Sequence, residues 1–395
     1  MQRIILSLIG LFILAFPSKG VTINLSQEAE ISVLTCGPSE LVHAIYGHTA
    51  VRVKDSRRML DVVFNYGVFS FNAPNFVYRF AKGQTDYMLA AERFSDFYED
   101  YKRHGRSIDE QVLNLSQLEK QQMMDFLIDN AKPENREYRY NFFFDNCATR
   151  VRDLVENQVD GTIIFPEGKG QDKTFRQHAS DYQQVLPWTN FGIQLTLGSP
   201  SDEVASAYQE MFLPDYLMNH FAGAQIKKGN ESRPLVKETH TIYDAGAKKH
   251  GGFNLFAPFV VLSVLVLVVL LISLRQFRKN KISYWLDYIL LFVSGITGLV
   301  LLWFVIYSEH PAMHPNYNLL WAVPVNLPFM FAWMVKKWRL SLKWYWPALS
   351  VWLFLFLVFG FWVPQAYPVG FYLITLMVLC RALFHSVRFF RISRL

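Results

Sequence analysis

The sequence predicts an α+β domain followed by an all-α membrane bundle of about five transmembrane helices. Three observations predict it. Hydrophobic residues make up 51% of the 395-residue chain and charged residues only 18%, a composition that leans toward a membrane protein. The charge divides sharply: residues 21–250 carry 25 basic and 31 acidic side chains, and residues 251–395 carry 12 basic and 2 acidic. Strand-like alternation and helix-like periodicity mix in the first part, while long apolar runs fill the second. The net charge of +6 therefore belongs to the apolar tail, so the chain has no broad basic face for nucleic acid.

Residues 1–20, "MQRIILSLIGLFILAFPSKG", read as a secretory signal, with Arg3 as n-region and an apolar core behind it. An uncleaved anchor is the alternative. The stretches "EISVLTC" and "HTAVRVKD" predict strands, "RRMLDVVFNYG" a third and "EYRYNFFF" a fourth. "SQLEKQQMMDFLIDNA" opens with Ser116 and has Glu119 three residues on, the capping-box signature of a helix start. "ATRVRDLVENQ" sets Val151, Leu154 and Val155 on one helical face, and "SDEVASAYQEMF" predicts a later helix. A globular α+β domain is expected over 21–223, a polar linker over 224–251 and the membrane domain over 252–395.

From Asn254 the first span is about 20 residues long, enough to cross hydrocarbon about 30 Å thick. Four more are expected at Tyr284–Ile306, Leu319–Val335, Tyr345–Val363 and Val369–Phe384. Every basic residue of the tail lies in 275–281, 336–343 or 381–394. Five spans put those clusters on one side, which the positive-inside rule makes cytoplasmic. The 21–250 domain is then expected on the outer side of the membrane and the C-terminus in the cytoplasm.

The chemistry centres on "YNFFFDNCATRVRDLVE", residues 140–156. Cys147 stands where a strand pattern gives way to a helix, and a helix N-terminus favours thiolate. Arg150 and Arg152 add positive charge in sequence. His48, at the start of the second strand, is the candidate base, and Asn65 or Asp61 on the next strand is the candidate group to orient it. Three readings of Cys147 stay open on these residues: a buried thiol, a disulfide with Cys36, or a nucleophile. Cys380 lies in the last span and cannot join that pairing. His310 and His314 sit with Glu309 on an outward loop that no other tight His/Asp/Glu cluster accompanies, so no metal is expected.

"LTCGPSELVHAIYGHTAVRV", "VFNYGVFSFNAPNF" and "YNFFFDNCATRVRDLVE", followed by "TFRQ", "PWTNFGIQLTLGSPSDE", "MFLPDYL" and "HPNYNLLW", resemble the Lnb family of lipoprotein N-acyltransferases. The domain also resembles a permuted NlpC-type, papain-like fold, as in lecithin-retinol acyltransferase-like enzymes. The resemblance implies Cys147 as nucleophile, His48 as base and Asn65 as the third group, with Cys36 a structural thiol. Asn146, Tyr46, Tyr66 and Asp145 become candidate oxyanion or substrate contacts, and the loop with His310 and His314 a candidate lipid head-group contact. It implies acyl transfer from a phospholipid, through a thioester, to the N-terminal amine of diacylglyceryl-cysteine on an apolipoprotein, with no cofactor. A membrane-anchored cell-wall amidase or peptidase, and a non-enzymatic assembly factor, are the rival readings.

Overall fold

A computed structural model describes residues 23–69, 74–166, 172–246 and 254–392. The expected signal segment, 1–20, lies outside the described residues. Alternating side chains organise the first domain. Strands β1 (Glu30–Cys36), β2 (His48–Asp55), β3 (Leu60–Val68), β4 (Asp86–Arg93), β5 (Ile108–Leu113), β6 (Glu137–Arg139) and β10 (Val236–Tyr243) form one sheet in the order β10-β5-β1-β2-β3-β4-β6. Each neighbouring pair is antiparallel.

Alternate residues of each strand face opposite layers. Val33, Val51, Val53, Phe64, Tyr66 and Leu89 face the main core, covered by α3 (Gln117–Asn130) and α4 (Cys147–Gln158). Leu34, Cys36, Ala50 and Val63 face the other side, covered by α2 (Phe94–Arg103) through Phe97 and Tyr101. The Ser116–Glu119 capping box starts α3 as the sequence predicts. Between β3 and β4 runs α1 (Phe76–Lys82). A second sheet, β7 (Thr162–Ile164), β8 (Gln225–Lys228) and β9 (Glu231–Pro234), stands apart.

Three expectations are corrected. Residues 225–243, placed in the 224–251 linker, form β8, β9 and β10, and β10 pairs with β5 across more than 100 residues. Its polar residues suit an edge strand with one solvated face. "YNFFF" does not end a strand: β6 stops at Arg139, and Asn141 and Asp145 close a tight turn by mutual backbone hydrogen bonds of 2.9 Å. "SDEVASAYQEMF" is no α-helix but two 3₁₀ turns, Ser199–Asp202 and Gln209–Phe212. Val204 bridges to Thr174 there and Asp202 is held by Arg176, so tertiary contacts override local propensity.

The chain then passes α5 (Phe175–Gln183), α6 (Pro187–Thr196) and α7 (Pro214–Gly223). Beyond residue 254 the structure is helical: α8 (Pro258–Arg278), α9 (Trp285–Tyr307), α10 (Asn326–Met334), the single turn α11 (Arg339–Leu342), α12 (Tyr345–Phe359) and α13 (Val369–Ile392). Four helices among the described residues are long and apolar enough to cross a membrane: Pro258–Arg278, Trp285–Tyr307, Tyr345–Trp362 and Val369–Arg388.

The third expected span, Leu319–Val335, is not one continuous helix. It is a 3₁₀ turn at Tyr317–Leu320, a non-helical bend and the nine-residue α10. Pro324 and Pro328 remove backbone donors from this stretch. Asn318 and Asn326 are buried, and each binds outside the segment, to the Leu195 carbonyl at 2.9 Å and the Ser294 hydroxyl at 2.8 Å. Gly298 lets the bend close on α9: a Cβ there would sit 2.2 Å from the Ala322 carbonyl oxygen. The segment still connects the two ends of the bundle. Tyr317 N–H donates to Gln365 at one end, and Trp333 packs on Trp346 and His385 at the other.

Two regions of the sheet domain dock on the bundle. At the C-terminal end of α1, Glu309 N–H donates to the Lys82 carbonyl at 2.8 Å and Ser308 to the Ala81 carbonyl at 3.0 Å. On the other side, Gly198 N–H donates to Ala312 O at 2.7 Å, and Phe191 of α6 packs on Phe371. Buried Arg176 holds this second contact in shape by binding Asp202 and the Gln194, Leu197 and Gly198 carbonyls. The stretches "TFRQ" and "PWTNFGIQLTLGSPSDE" are thus the docking apparatus.

Candidate active site

Cys147 is the first residue of α4, and Asn146 is its N-cap. The Asn146 side-chain oxygen accepts from Ala148 N–H at 2.8 Å and Thr149 N–H at 3.0 Å. Its amide nitrogen donates to the Phe142 and Phe212 carbonyls. All its polar side-chain capacity goes into fixing the helix start, which leaves it no role at an oxyanion.

The sulfur sits where the sheet opens. β2 and β3 pair only from Val51–Phe64 onward, so the ladder stops short of Thr49 and His48. On the facing strand a register shift lies between Asn65 and Val68, and Gly67 takes φ +91°. Only glycine adopts such a backbone freely, and a Cβ at Gly67 would lie 3.7 Å from the Cys147 Cβ. Into this gap three backbone N–H groups, of Thr49, Ala148 and Cys147 itself, are directed at the sulfur. Thr49 follows His48 directly, so the sulfur lies against the His48–Thr49 corner.

His48 Nε2 lies 3.1 Å from Asn65 Oδ1. The Asn65 amide nitrogen in turn donates to Glu92. That second bond fixes which end of the amide faces His48, so Nε2 carries the proton and Nδ1 the lone pair. Asn65 is thus the group hydrogen-bonded to His48, and Asp61 instead pairs with Arg52 at 2.7 Å. Glu92 was missed in the sequence. Only the register that sets Asn65 opposite Ala90 brings Glu92 within reach.

Burial lifts the Cys147 thiol above its ordinary range, against the pull of the three N–H groups. Burial also pushes His48 down to about 4. The resting pair is therefore thiol and neutral imidazole. The helix terminus alone does not yield a preformed thiolate, contrary to expectation, because desolvation outweighs it. Nor do the expected arginines serve the sulfur. Arg150 is paired with Asp145 and Arg152 with Asp153, while Arg106 is the cation that acts on Cys147.

The remaining candidates are placed as follows. Tyr46 accepts from Gln183 and packs on Phe142, and Tyr66 donates to Asn130 at 2.7 Å. Both stabilise the core, and Asp145 is spent on Arg150. His310 Nε2 is bonded to the Phe80 carbonyl at 2.8 Å, so it docks α1, while His314 is exposed on the same loop. Cys36 is free and buried, its thiol pushed up to about 12 by burial, and Cys147 and Cys380 are free as well. Tyr138 is a second residue missed in the sequence. Its hydroxyl is buried, lacks a hydrogen-bond partner and lies 3.8 Å from the Gly67 Cβ position, beside Cys147. Among the described residues no cluster of His, Cys, Asp or Glu has metal-binding form.

Two family models match the chain: the Lnb N-terminal periplasmic domain over residues 22–184 and the Lnb transmembrane domain over residues 249–391. The chain belongs to the Lnb family. It is a membrane protein with a periplasmic N-terminal domain, and its family suggests an enzyme of lipoprotein maturation. No curated protein and no solved structure matches the chain. The periplasmic match of this Lnb-family protein spans His48, Asn65, Glu92, Tyr138 and Cys147, so one domain carries the whole candidate site.

Proposed function

We propose that the protein transfers an acyl chain from a phospholipid, through a thioester on Cys147, to the N-terminal amine of diacylglyceryl-cysteine on an apolipoprotein. The observation that carries this reading is the open sheet corner. A half-buried thiol at a helix start lies against the strand start that carries a tautomer-fixed histidine, above a membrane bundle. A helix-borne cysteine against the strand start that carries a histidine also suits the permuted papain-like architecture.

In the first step His48 Nδ1, the nitrogen that Asn65 does not hold, takes the thiol proton as sulfur attacks the ester carbonyl. The negative charge that develops on the carbonyl oxygen is met by the backbone N–H of Cys147 and the unpartnered hydroxyl of Tyr138. The intermediate collapses, the ester C–O bond breaks, and His48 returns the proton to the departing lysophospholipid oxygen. In the second step the neutral amine attacks the thioester, and its proton passes by way of His48 to the departing sulfur. Amide resonance makes the product more stable than the thioester. Bound lipid covering the half-buried sulfur limits hydrolysis of the thioester in the interval.

Docking of the sheet domain on the bundle supports a lipid-linked substrate for both steps. The basic clusters support a C-terminus in the cytoplasm of an inner-membrane protein. The test is mass spectrometry of lipoprotein N-termini in cells that lack N-acylation. Expression of the native protein should add a third acyl chain, and Cys147→Ser should add none. Diacylated N-termini despite good expression of the native protein would sink the proposal.

A further inference from the structure

Arg106 stands just before β5, and its guanidinium is only partly engaged. Nε donates to the Gly37 carbonyl at 2.9 Å, and the guanidinium lies 4.5 Å from the centre of the Tyr101 ring. Nη2 is buried without a hydrogen-bond partner. Arg52, Arg150, Arg152 and Arg176 each face a carboxylate, whereas Arg106 has no ion pair among the described residues. Asp109, the acidic residue closest to it in sequence, takes the Thr241 hydroxyl at 2.6 Å instead. A half-buried cation with an unmet donor is set for an anion that the chain itself does not supply.

This cation stands at the catalytic end of the sheet. Gly37 follows Cys36, and Cys36 is the ladder partner of His48, across about 5 Å. Ladder partners share a face, and Cys36 and Tyr101 belong to the core on the α2 side, so Arg106 and His48 flank one strand end together. The charge of Arg106 acts on His48 and also on Cys147, which comes to the opening from the α4 side. The same end of the sheet is turned to the bundle. β10 ends there, with Tyr243 opposite Ile108, and Ala245 N–H donates to the Ser107 hydroxyl at 3.1 Å shortly before the chain reaches α8. α1 follows the end of β3 there and docks on the loop after α9. Leu41 and Val42, on the loop from Gly37 to Gly47, are 52% and 53% exposed, as apolar residues that enter a lipid surface are.

We infer that Arg106 binds the phosphate of the donor phospholipid, an inference that rests on the acyl-transfer reading above. Its unengaged donors meet the phosphate oxygens, and the planar fork suits that anion better than a point charge does. In a glycerophospholipid the phosphate lies only a few bonds from the ester oxygen. A phosphate held at Arg106 therefore brings the ester carbonyl to the opening where Cys147 and His48 meet, with Leu41 and Val42 in the lipid beside it. The diacylglyceryl-cysteine acceptor carries no phosphate, so this contact selects the donor and serves the first step alone.

Full-length protein in micelles of an uncharged detergent tests this. Phosphatidylethanolamine and diacylglycerol of identical acyl chains are offered separately, and the thioester on Cys147 is timed by intact mass with no acceptor present. The native protein should form it about 10–100-fold faster from the phospholipid, the ratio that hydrogen bonds to a charged group give. Arg106→Gln should remove most of that ratio. Arg106→Lys, which keeps the charge near the sulfur and loses the fork, should retain only part of it, and it carries the test if the glutamine variant folds poorly. Equal native rates from the two donors, or a ratio that survives both substitutions, would overturn the assignment and leave acyl transfer standing. A thioester from neither donor would overturn the acyl-transfer reading itself.

Discussion

The Cys147 corner and the Asp287–Arg381–His385 cluster both bury polar, ionisable groups, and they treat them in opposite ways. In the bundle, Arg381 Nε and Nη2 bind the two Asp287 oxygens at 2.6 and 2.9 Å. Arg381 Nη1 binds Ser273 at 3.1 Å, and His385 Nε2 lies 2.9 Å from Asp287. Arg381 and Asp287 are 1% and 0% exposed, and the cluster ties α8, α9 and α13 together. At the sheet corner the thiol is lifted by burial, the Tyr138 hydroxyl is unpartnered and His48 keeps one nitrogen unengaged. Saturated burial serves architecture, whereas unsaturated burial beside a nucleophile holds reactive groups ready for a ligand.

The contrast breaks most sharply at its two centres. Cys147→Ser should abolish thioester formation, a loss on the order of 10³-fold or more, with the melting temperature little changed. Intact-mass detection of the acyl-enzyme reads the first, and thermal unfolding in detergent reads the second. Asp287→Ala should do the reverse. It strands a buried guanidinium and costs about 3–5 kcal/mol of stability, while correctly folded molecules keep their thioester rate. Replacing Asp287 and Arg381 together by apolar residues of similar size should recover much of that stability. A stable Asp287→Ala protein with a dead Cys147 would dissolve the distinction.

His48→Ala should slow acylation by about 10²–10⁴-fold. The native rate should hold down to low pH and fall as His48 protonates near 4, which a rate–pH profile in vesicles can follow. Tyr138→Phe, which deletes only the unpartnered hydroxyl, should cost about 10²-fold in the chemical step and leave lipid affinity unchanged.

The smallest effect is at Glu92. It stands at the solvent edge of β4, yet crowding by protein and by Asp100 and Asp96 pushes it up to about 7 from 4.5. A raised carboxyl binds more protons folded than unfolded, so its contribution weakens stability as pH rises from 4.5 to about 7. His48, lowered from 6.5 to about 4, acts with the opposite sign: stability is lost as pH falls through that window. Glu92→Gln should therefore raise the melting temperature above pH 7 relative to the native protein. It should cut acylation less than tenfold, about what one ordinary hydrogen bond contributes, and remove any inflection near 7 from the rate profile.

Cys147 at a helix start, the Ser116 box and the apolar runs were legible because each is a local pattern. The short third helix was half legible. Composition marked the stretch as apolar, but Pro324, Pro328 and two buried asparagines break it, and their partners lie on α6 and α9. β10 was not legible, because "VKETHTIY" shows mostly polar side chains at an edge and its partner β5 is distant in sequence.

The sequence by itself determined which residues start helices, which stretches enter the membrane and which thiol heads α4, since propensity, capping and hydropathy act over a few residues. Tertiary structure alone decided that the β2–β3 ladder ends at Val51, that Glu92 locks Asn65 and that Tyr138 stands beside the sulfur. It also decided that Cys147 rests as a thiol. Strand register and desolvation are set by residues far away in the chain, and no local pattern encodes them.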